Sequence, residues 1–452
     1  MNLGTNNKLQ KKGITLVIPN PCGIIKETKM KNSGVEWIGE IPDDWEVTQV
    51  KSIFNIGRGR VIAQTELDEH GKYPVYSSQT KDNGCLGYIN TYDFDINQLT
   101  WTTDGANAGT VFLRKGKHNC TNVCGTLQLK QTSNILLFYK YALEYLTIFN
   151  KRADTNGFKI MNNEMAKIIT LLPPKETQQR IATFLDKKCS KIEETIQNQQ
   201  QVIEKLKAYK QSLITEAVTG KIKIQNGKVC GKYESYKDSG VEWIGKIPSG
   251  WISTRVGHLY KSMLGKMVCP NQLTEEHSLQ KYLCAMNVHF DGVDLSEIKE
   301  MWFTPNEMNQ YQVRNGDLLV VEGGAGAGGA SIVYGISEND KIFIQNSIHL
   351  VKPVKTNYLP KYLYYWIYSL VKQNYIDYTC NKATIPHFTK EKLEEMPIAI
   401  SDKITQQEII VYLDKKCTAI DTAIEQKQKL IVKLTEYKKS LIYECVTGKK
   451  EI

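Results

Sequence analysis

The residues of this chain that could do chemistry gather in two glycine-rich stretches and the polar side chains around them. Glu322–Ala330 reads EGGAGAGGA, and a thinner counterpart, DGANAG, fills Asp104–Gly109. Glycine at that density lets backbone approach a ligand closely. The longer stretch lacks the Gly-Lys-Ser/Thr ending that cradles phosphates in a P-loop, and no convincing helix pattern follows it. Each stretch is followed by a strand-like segment and then by polar pairs, Asn119 and Asn122 in one case, Gln345 and Asn346 in the other. Amide side chains can bond adenine edges bidentately in the major groove of DNA. Turn-forming glycines with ordinary surface amides would give the same trace at any single residue.

Other constellations point away from catalysis. Phe54–Gly59 (FNIGRG) faintly resembles the loop with which methyltransferases hold S-adenosylmethionine. Its counterpart Tyr260–Gly265 (YKSMLG) lacks the first glycine, and no Asp/Asn-Pro-Pro-aromatic tetrapeptide occurs. The basic residue after the retained glycine, Arg60 or Lys266, suits either a phosphate contact or a solvated turn. Seven histidines and eleven cysteines include no C-x-x-C and no H-E-x-x-H. Cys120 and Cys124, with His118 nearby, form a lone pair where structural zinc needs four ligands. No nucleophile stands with a base, and no paired carboxylates stand in a nuclease-like setting. The expectation is a binding chain with no catalytic residue and no metal site of its own.

The elements that must position these residues are written twice. Thr177–Lys221 returns, without a gap and with more than half its positions identical, at Thr405–Lys449. A shorter echo precedes each copy, KNSGVEWIGEIPDDWEV at Lys31–Val47 and KDSGVEWIGKIPSGWIS at Lys237–Ser253. In the long repeat Leu185, Cys189, Ile192, Ile196, Gln199, Ile203, Leu206, Lys210 and Leu213 alternate four and three residues apart. Leu413, Cys417, Ile420, Ile424, Lys427, Ile431, Leu434, Lys438 and Leu441 repeat the pattern. This heptad seam predicts two long helices, each on the order of 50 Å, ended by Gly220 and Gly448. One apolar stripe cannot bury itself. Packing on the helix's own domain is one solution, but matched polar interruptions favour the twin, and the domain lying between the copies favours antiparallel pairing.

The frame divides the chain into a leader (1–30), a first body (31–176), a central helix (177–221), a linker (222–236), a second body (237–404) and a C-terminal helix (405–452). In the first body Tyr73–Tyr76, Gly87–Ile89, Gln98–Thr102, Thr110–Arg114 and Thr126–Lys130 have strand composition, and Ile135–Leu146 has helical spacing. In the second, Tyr311–Val321, Ala330–Tyr334 and Ile342–Lys352 read as strands and Leu359–Tyr375 as the matching helix. The Trp residues of the echo (Trp37, Trp45, Trp243, Trp251) are expected in the core. The fold class is α/β (α+β): two globular domains joined by an antiparallel coiled coil, related by a pseudo-two-fold internal repeat. A net charge of +10 suits a polyanionic partner without requiring one. No apolar run approaches a membrane span, the N-terminus lacks a secretory pattern, and scattered cysteines fit a reducing cytoplasm.

Together, Ser-Gly-Val-Glu-Trp-Ile-Gly-x-Ile-Pro before each body and Leu-Asp-Lys-Lys with Leu-Ile-x-Glu-x-Val-Thr-Gly-Lys after it resemble the specificity subunit of type I restriction–modification systems. Gly316–Gly324, Ile344–His349 and Ala383–Pro386 resemble stretches of its target recognition domains, and the likeness covers about residues 31–450. The resemblance implies that each body reads one half of a bipartite, asymmetric site in double-stranded DNA. The helices would set the spacer and dock two modification (methyltransferase) subunits, which restriction subunits, the ATP-dependent translocase and nuclease, join. S-adenosylmethionine, ATP and Mg would then be bound by those partners, with no cofactor here. On this reading the candidate DNA contacts are Arg58, Arg60, Lys81, Asn107, Arg114, Lys115 and Lys117 in the first body. In the second they are Lys266, Gly324, Gly326, Gln345, Asn346, His349, Lys382 and Thr384. The other reading is a coiled-coil interaction protein that does not bind DNA.

Overall fold

The structure, a computed structural model, describes residues 29–155, 157–324, 326–337, 339–380 and 386–452. The leader as far as residue 28 and the candidates Lys382 and Thr384 lie outside the described residues. The chain divides into two compact units, one running to Gln197 and completed by Ile431–Ile452, the other formed by Asn198–Leu430. The long helices Lys175–Val218 and Lys403–Val446 each give one part to each unit.

The first unit is built on an antiparallel sheet in the order Val111–Arg114, Gln98–Thr102, Cys124–Leu129, Phe54–Arg58. Gln98–Thr102 is buried along its whole length, as a central strand between two covered faces must be. A second sheet runs Cys85–Ile89, Tyr73–Tyr76, Lys117–Cys120, Phe94–Asp95, and its inner pair is parallel, with Asn119 opposite Val75. The helix Leu136–Asn150 covers the first sheet with Phe138, Leu143 and Leu146.

The second unit repeats this topology although its body sequence has diverged. Its first sheet runs Ala330–Ile332, Leu318–Val321, Ile348–Pro353, Tyr260–Leu264. Its second runs Lys299–Phe303, Ser278–Leu283, Ile342–Ile344, Gln312–Val313, again with a parallel inner pair. Pro360–Val371 is the covering helix. Two strand expectations are corrected here. Tyr311 closes a helix, Pro305–Tyr311, and turns separate Gln312–Val313 from Leu318–Val321. Ile342–Lys352 is two strands in different sheets, divided by a turn at Gln345–Ser347.

Every seam position named above is buried or half-buried. In the first unit Leu185, Cys189 and Ile192 share a core with Leu441, Ile442 and Cys445. In the second, Leu213 and Ala217 share one with Leu413, Cys417 and Ile420. There the Lys427 ammonium donates to Gln199 Oε1 at 3.0 Å, and Lys210 pairs with Asp421 at 2.7 Å. As numbers rise on one helix they fall on the other, so the pairing is antiparallel. The polar interruptions are therefore partnered, as register-setting seam residues should be.

Each long helix stops in a Schellman turn. Gly220 and Gly448 adopt left-handed backbone (φ 70° and 71°), and the next amides, Lys221 and Lys449, reach back to Glu216 and Glu444. Each stop docks on the echo of the opposite repeat. A methyl group at Gly448 would collide with Pro42 in the first unit, and one at Gly220 with Pro248 in the second. Trp45 and Trp251 lie buried beside these contacts. Trp37 and Trp243 do not: they are about two-fifths exposed (42% and 41%), because their turns send Ile38 and Ile244 into the core instead. The stretch read as a linker contains a hairpin, Ile224–Gln225 against Lys228–Val229, whose Gly227 amide donates to Glu408.

Candidate nucleic-acid interface

The glycine-rich stretches occupy the same place in the two bodies, and matching main-chain bonds give a residue-by-residue correspondence. The amides of Ala108 and Gly109 bond the carbonyls of Gly105 and Thr102, as those of Ala327 and Gly328 bond Gly324 and Val321. Gly105 and Gly324 are left-handed (φ 90° and 89°), as are Gly109 and Gly328 (88° and 79°). A Cβ at Gly109 would meet Thr147 of the covering helix, and one at Gly328 would meet Val371 at the end of the covering helix and Ile376 of the short helix Tyr375–Thr379 that follows it. Only glycine combines that φ with that proximity. Asn107 in the first body therefore stands where Gly326 stands in the second, and both are exposed.

Beside each loop runs the segment that follows the covering helix. In the first body the hairpin Arg152–Asp154 and Gly157–Lys159 adds to Asp104–Gly105, and the Ile160 amide bonds Thr103 O. In the second, His387 bridges Gly323, and the Phe388 amide bonds Glu322 O. A turn closes the third side. Thr103 N bonds Val123 O after the Thr121–Asn122 turn, and Glu322 N bonds Ser347 O after Gln345–Asn346. Asn122 thus matches Asn346, whose neighbour Gln345 bonds it at 2.5 Å. A common backbone cradle carries different side chains in the two bodies.

The placement of the other candidates divides them. Lys81 is exposed, and its loop joins the cradle through Thr80 Oγ1, which accepts from Asn107 Nδ2 at 3.2 Å. Arg58 is exposed and donates to Asn162 Oδ1 at 3.0 Å. Lys115 and Lys117 follow the end of the strand Val111–Arg114 whereas Asn107 precedes its start, so they lie roughly 13 Å further along. There the Lys117 ammonium stands 4.5 Å from the Tyr92 ring, and its hydrogen bond with Tyr92 raises its pKa.

Three candidates, Lys266, His349 and Arg114, are buried in the fold, which corrects their reading as DNA contacts, and a fourth, Arg60, is exposed but ion-paired. Arg60 is held by Glu66 at 2.8 Å and Asp93 at 3.3 Å, and the bond to Glu66 raises its pKa. Lys266 is nearly buried and ion-paired to Glu307. Burial alone would raise the Glu307 pKa, but bonds from Lys266 and Thr304 outweigh it and hold the carboxyl low. The cation after the retained glycine thus pairs with a carboxylate of its own body in both cases. His349 is fully buried, with Nε2 placed to donate to Phe388 O at 3.1 Å, and burial lowers its pKa. Arg114 is also fully buried.

The hairpin Arg152–Lys159 and its counterpart at His387 were not singled out from the sequence. The dipeptide Asn156-Gly157 is a hairpin signal that marks the first of them. Arg152 pairs with Glu164 at 2.7 Å and Lys159 with Asp154 at 2.6 Å, so this edge is charged but largely self-neutralised.

Behind each cradle a buried glutamine ties the covering helix to the long helix. Gln178 Oε1 accepts from the Ile135 amide at 2.9 Å, and Gln406 Oε1 from the Leu359 amide at 3.1 Å. Further along, Tyr141 bonds Asp186 and Tyr365 bonds Asp414. The cradle is thereby fixed to the repeated helix, although it differs in sequence from one body to the other.

Comparison with known proteins agrees with this duplicated plan. The family model described as the type I restriction modification DNA specificity domain matches residues 42–207 and 297–434. A putative type I specificity subunit of Mycoplasma pneumoniae is 40% identical over 139 residues, which cover 30% of this chain and 74% of that protein. The specificity subunit of a type I restriction enzyme of Methanocaldococcus jannaschii is 24% identical over 429 residues, 90% of this chain and 93% of that one. Across the more similar relatives the alignment spans between 38% and 74% of their length. In fold, the chain is similar to one solved in work on complex assembly and conformational transition of the type I restriction–modification system. The TM-score is 0.63 at 12% identity, over 91% of this chain and 99% of that one. With the family model matched in both halves, around both repeated helices, the protein belongs to the family of type I restriction modification DNA specificity domains.

Proposed function

We propose that this chain is the sequence-reading subunit of a type I restriction–modification complex, in which each body binds one half of a bipartite DNA site. The observation that carries the reading is the backbone cradle, bonded alike in both bodies but presenting Asn107 in one and Gly326 in the other. A duplicated frame with exchanged side chains suits two half-sites of different sequence, because base edges are read by side chains and the frame supplies position. The paired helices would dock two modification subunits and set the spacer. Restriction subunits would join that assembly. S-adenosylmethionine, ATP and Mg would belong to the partners, leaving this chain without catalysis.

The test is methylome mapping in a host carrying the wild-type gene or a variant lacking residues 196–202 and 424–430. Removing one heptad from each helix keeps the antiparallel register and shortens the pair by about 10 Å, close to three base pairs. The expected result is a shorter permitted spacer with both half-sites unchanged. An unchanged spacer would reject the spacing role. A wild-type chain that directs no bipartite methylation and shows no salt-sensitive DNA retention would reject DNA reading itself.

A further inference from the structure

The two cradles differ most in what stands beside them, and the first is organised by a cation that the second lacks. In the first body the strand after the glycine loop ends in Arg114. The matched pairing of Phe112 with Thr100 and of Ser331 with Leu319 places Val333 at the same point in the second. Both residues are fully buried. The Arg114 guanidinium lies 3.6 Å from the centre of the Tyr76 ring and 4.3 Å from that of Phe112. Nε donates to Thr100 Oγ1 at 2.9 Å and Nη1 to Asn83 O at 2.7 Å, while Nη2 is buried without a partner among the described residues. Among the described residues no carboxylate pairs with it.

A buried cation without a counter-ion carries a large desolvation penalty, so a valine would be the simpler filling. What the arginine adds is its hold on the Asn83 carbonyl. Asp82, Asn83 and Gly84 are successively left-handed (φ 49°, 53° and 78°), a run that L-residues disfavour. A Cβ at Gly84 would come 2.8 Å from Nη2, so the loop is folded down onto the guanidinium. Its exposed outer residues, Thr80, Lys81 and Asp82, then meet the glycine loop through the Thr80–Asn107 bond. In the second body the corresponding segment, 284–298, is longer and carries its own hairpin at Val288–Val293.

We propose that Arg114 is the positioning residue of a third reading element, the Gln79–Gly84 loop, which with Asn107 determines base preference in the first half-site only. This rests on the DNA-reading function above. Arg114 acts from beneath the loop, through Asn83, and Lys81 and Asn107 are the groups presented to the duplex.

Methylome mapping with the full-length chain and its native partners tests it. Thr80→Val cuts the surface link without touching the core, Thr80→Ser keeps it, and Arg114→Met removes the support from below. The expected result for Thr80→Val and Arg114→Met is discrimination relaxed by tenfold or more at one or more positions of a single half-site. The other half-site and the spacer stay unchanged, and Thr80→Ser restores the wild-type motif. If Arg114→Met abolishes methylation by misfolding, Thr80→Val decides alone. A wild-type motif with Thr80→Val, or equal decay of both half-sites, overturns the proposal. Absence of any bipartite motif with the wild-type chain would instead overturn the function beneath it.

Discussion

At the scale of residues, duplication lets one unit serve as a control for the other. Lys438 and Lys210 occupy the same heptad position, and each meets an acid from the opposite long helix, Glu193 at 2.8 Å and Asp421 at 2.7 Å. They differ in what the covering helix supplies. In the first unit Glu144 adds a second carboxylate at 2.6 Å; in the second, the Tyr368 ring stands 5.6 Å from the Lys210 ammonium. Burial alone would lower the Lys438 pKa, but Glu144 and Glu193 raise it. Burial would raise that of Glu144, and Lys140 and Lys438 more than reverse this. A carboxyl with a lowered folded pKa contributes stability above its unfolded value, near pH 4.3, and loses it as pH falls through the folded one. The cation's contribution is complete below about pH 10.4, so the pair acts in full at neutrality. Lys438→Met, which leaves the half-buried Glu144 with Lys140 as its remaining cation, is expected to cost about 1–2 kcal/mol in chemical denaturation at pH 7. Lys210→Met, whose partner is half exposed, is expected to cost less than about 1 kcal/mol. Equal losses would mean that Glu144 adds nothing.

At the scale of elements, the helix stops couple the repeats. Gly448 is left-handed and lies against Pro42 and Trp45. Gly448→Ala therefore combines a disfavoured backbone with a collision and is expected to destabilise by about 2 kcal/mol, seen as a lower Tm. Ala at Gly34, also left-handed but in open space, isolates the backbone share and should cost less. The heptads and the stops were legible because a 3.5-residue apolar period and a terminal glycine are local signals. The crossed docking was not, since nothing local tells a Trp-bearing echo which copy of the helix it will receive. Trp37 and Trp45 look alike in sequence, yet only the second is buried; the turn geometry decides, and Ile38 takes the core place. The break at Gln345–Ser347 was hidden because amides and a hydroxyl make that turn in place of glycine or proline. Candidate cations were read by type, and type does not reveal that Glu66, Asp93 or Glu307 has already claimed them. The glycine stretches were counterparts already in sequence, and the bonding pattern fixes the match of Asn107 to Gly326 between bodies that have otherwise diverged.

At the scale of the whole molecule, the second unit is one continuous stretch of chain, whereas the first is closed by the last residues of the sequence. Leu441, Ile442, Cys445 and Val446 are buried in the first unit's core, and Gly448 seats its echo. At roughly 1.5–3 kcal/mol for each buried aliphatic side chain, their removal takes away an amount comparable to the whole net stability of a domain, about 5–15 kcal/mol. A chain ending at residue 430 should consequently lose the first unit, leaving Leu185, Cys189 and Ile192 without cover. The second unit keeps all its parts, including Leu213, Ala217 and Leu413 in one core. Hydrogen exchange read peptide by peptide would show full exchange through 54–129 and retained protection through 318–353. Adding back a peptide of residues 425–452 should restore protection to the first region. If the truncated chain protected both regions equally, the first unit would fold without the second helix, and the crossed closure would be dispensable.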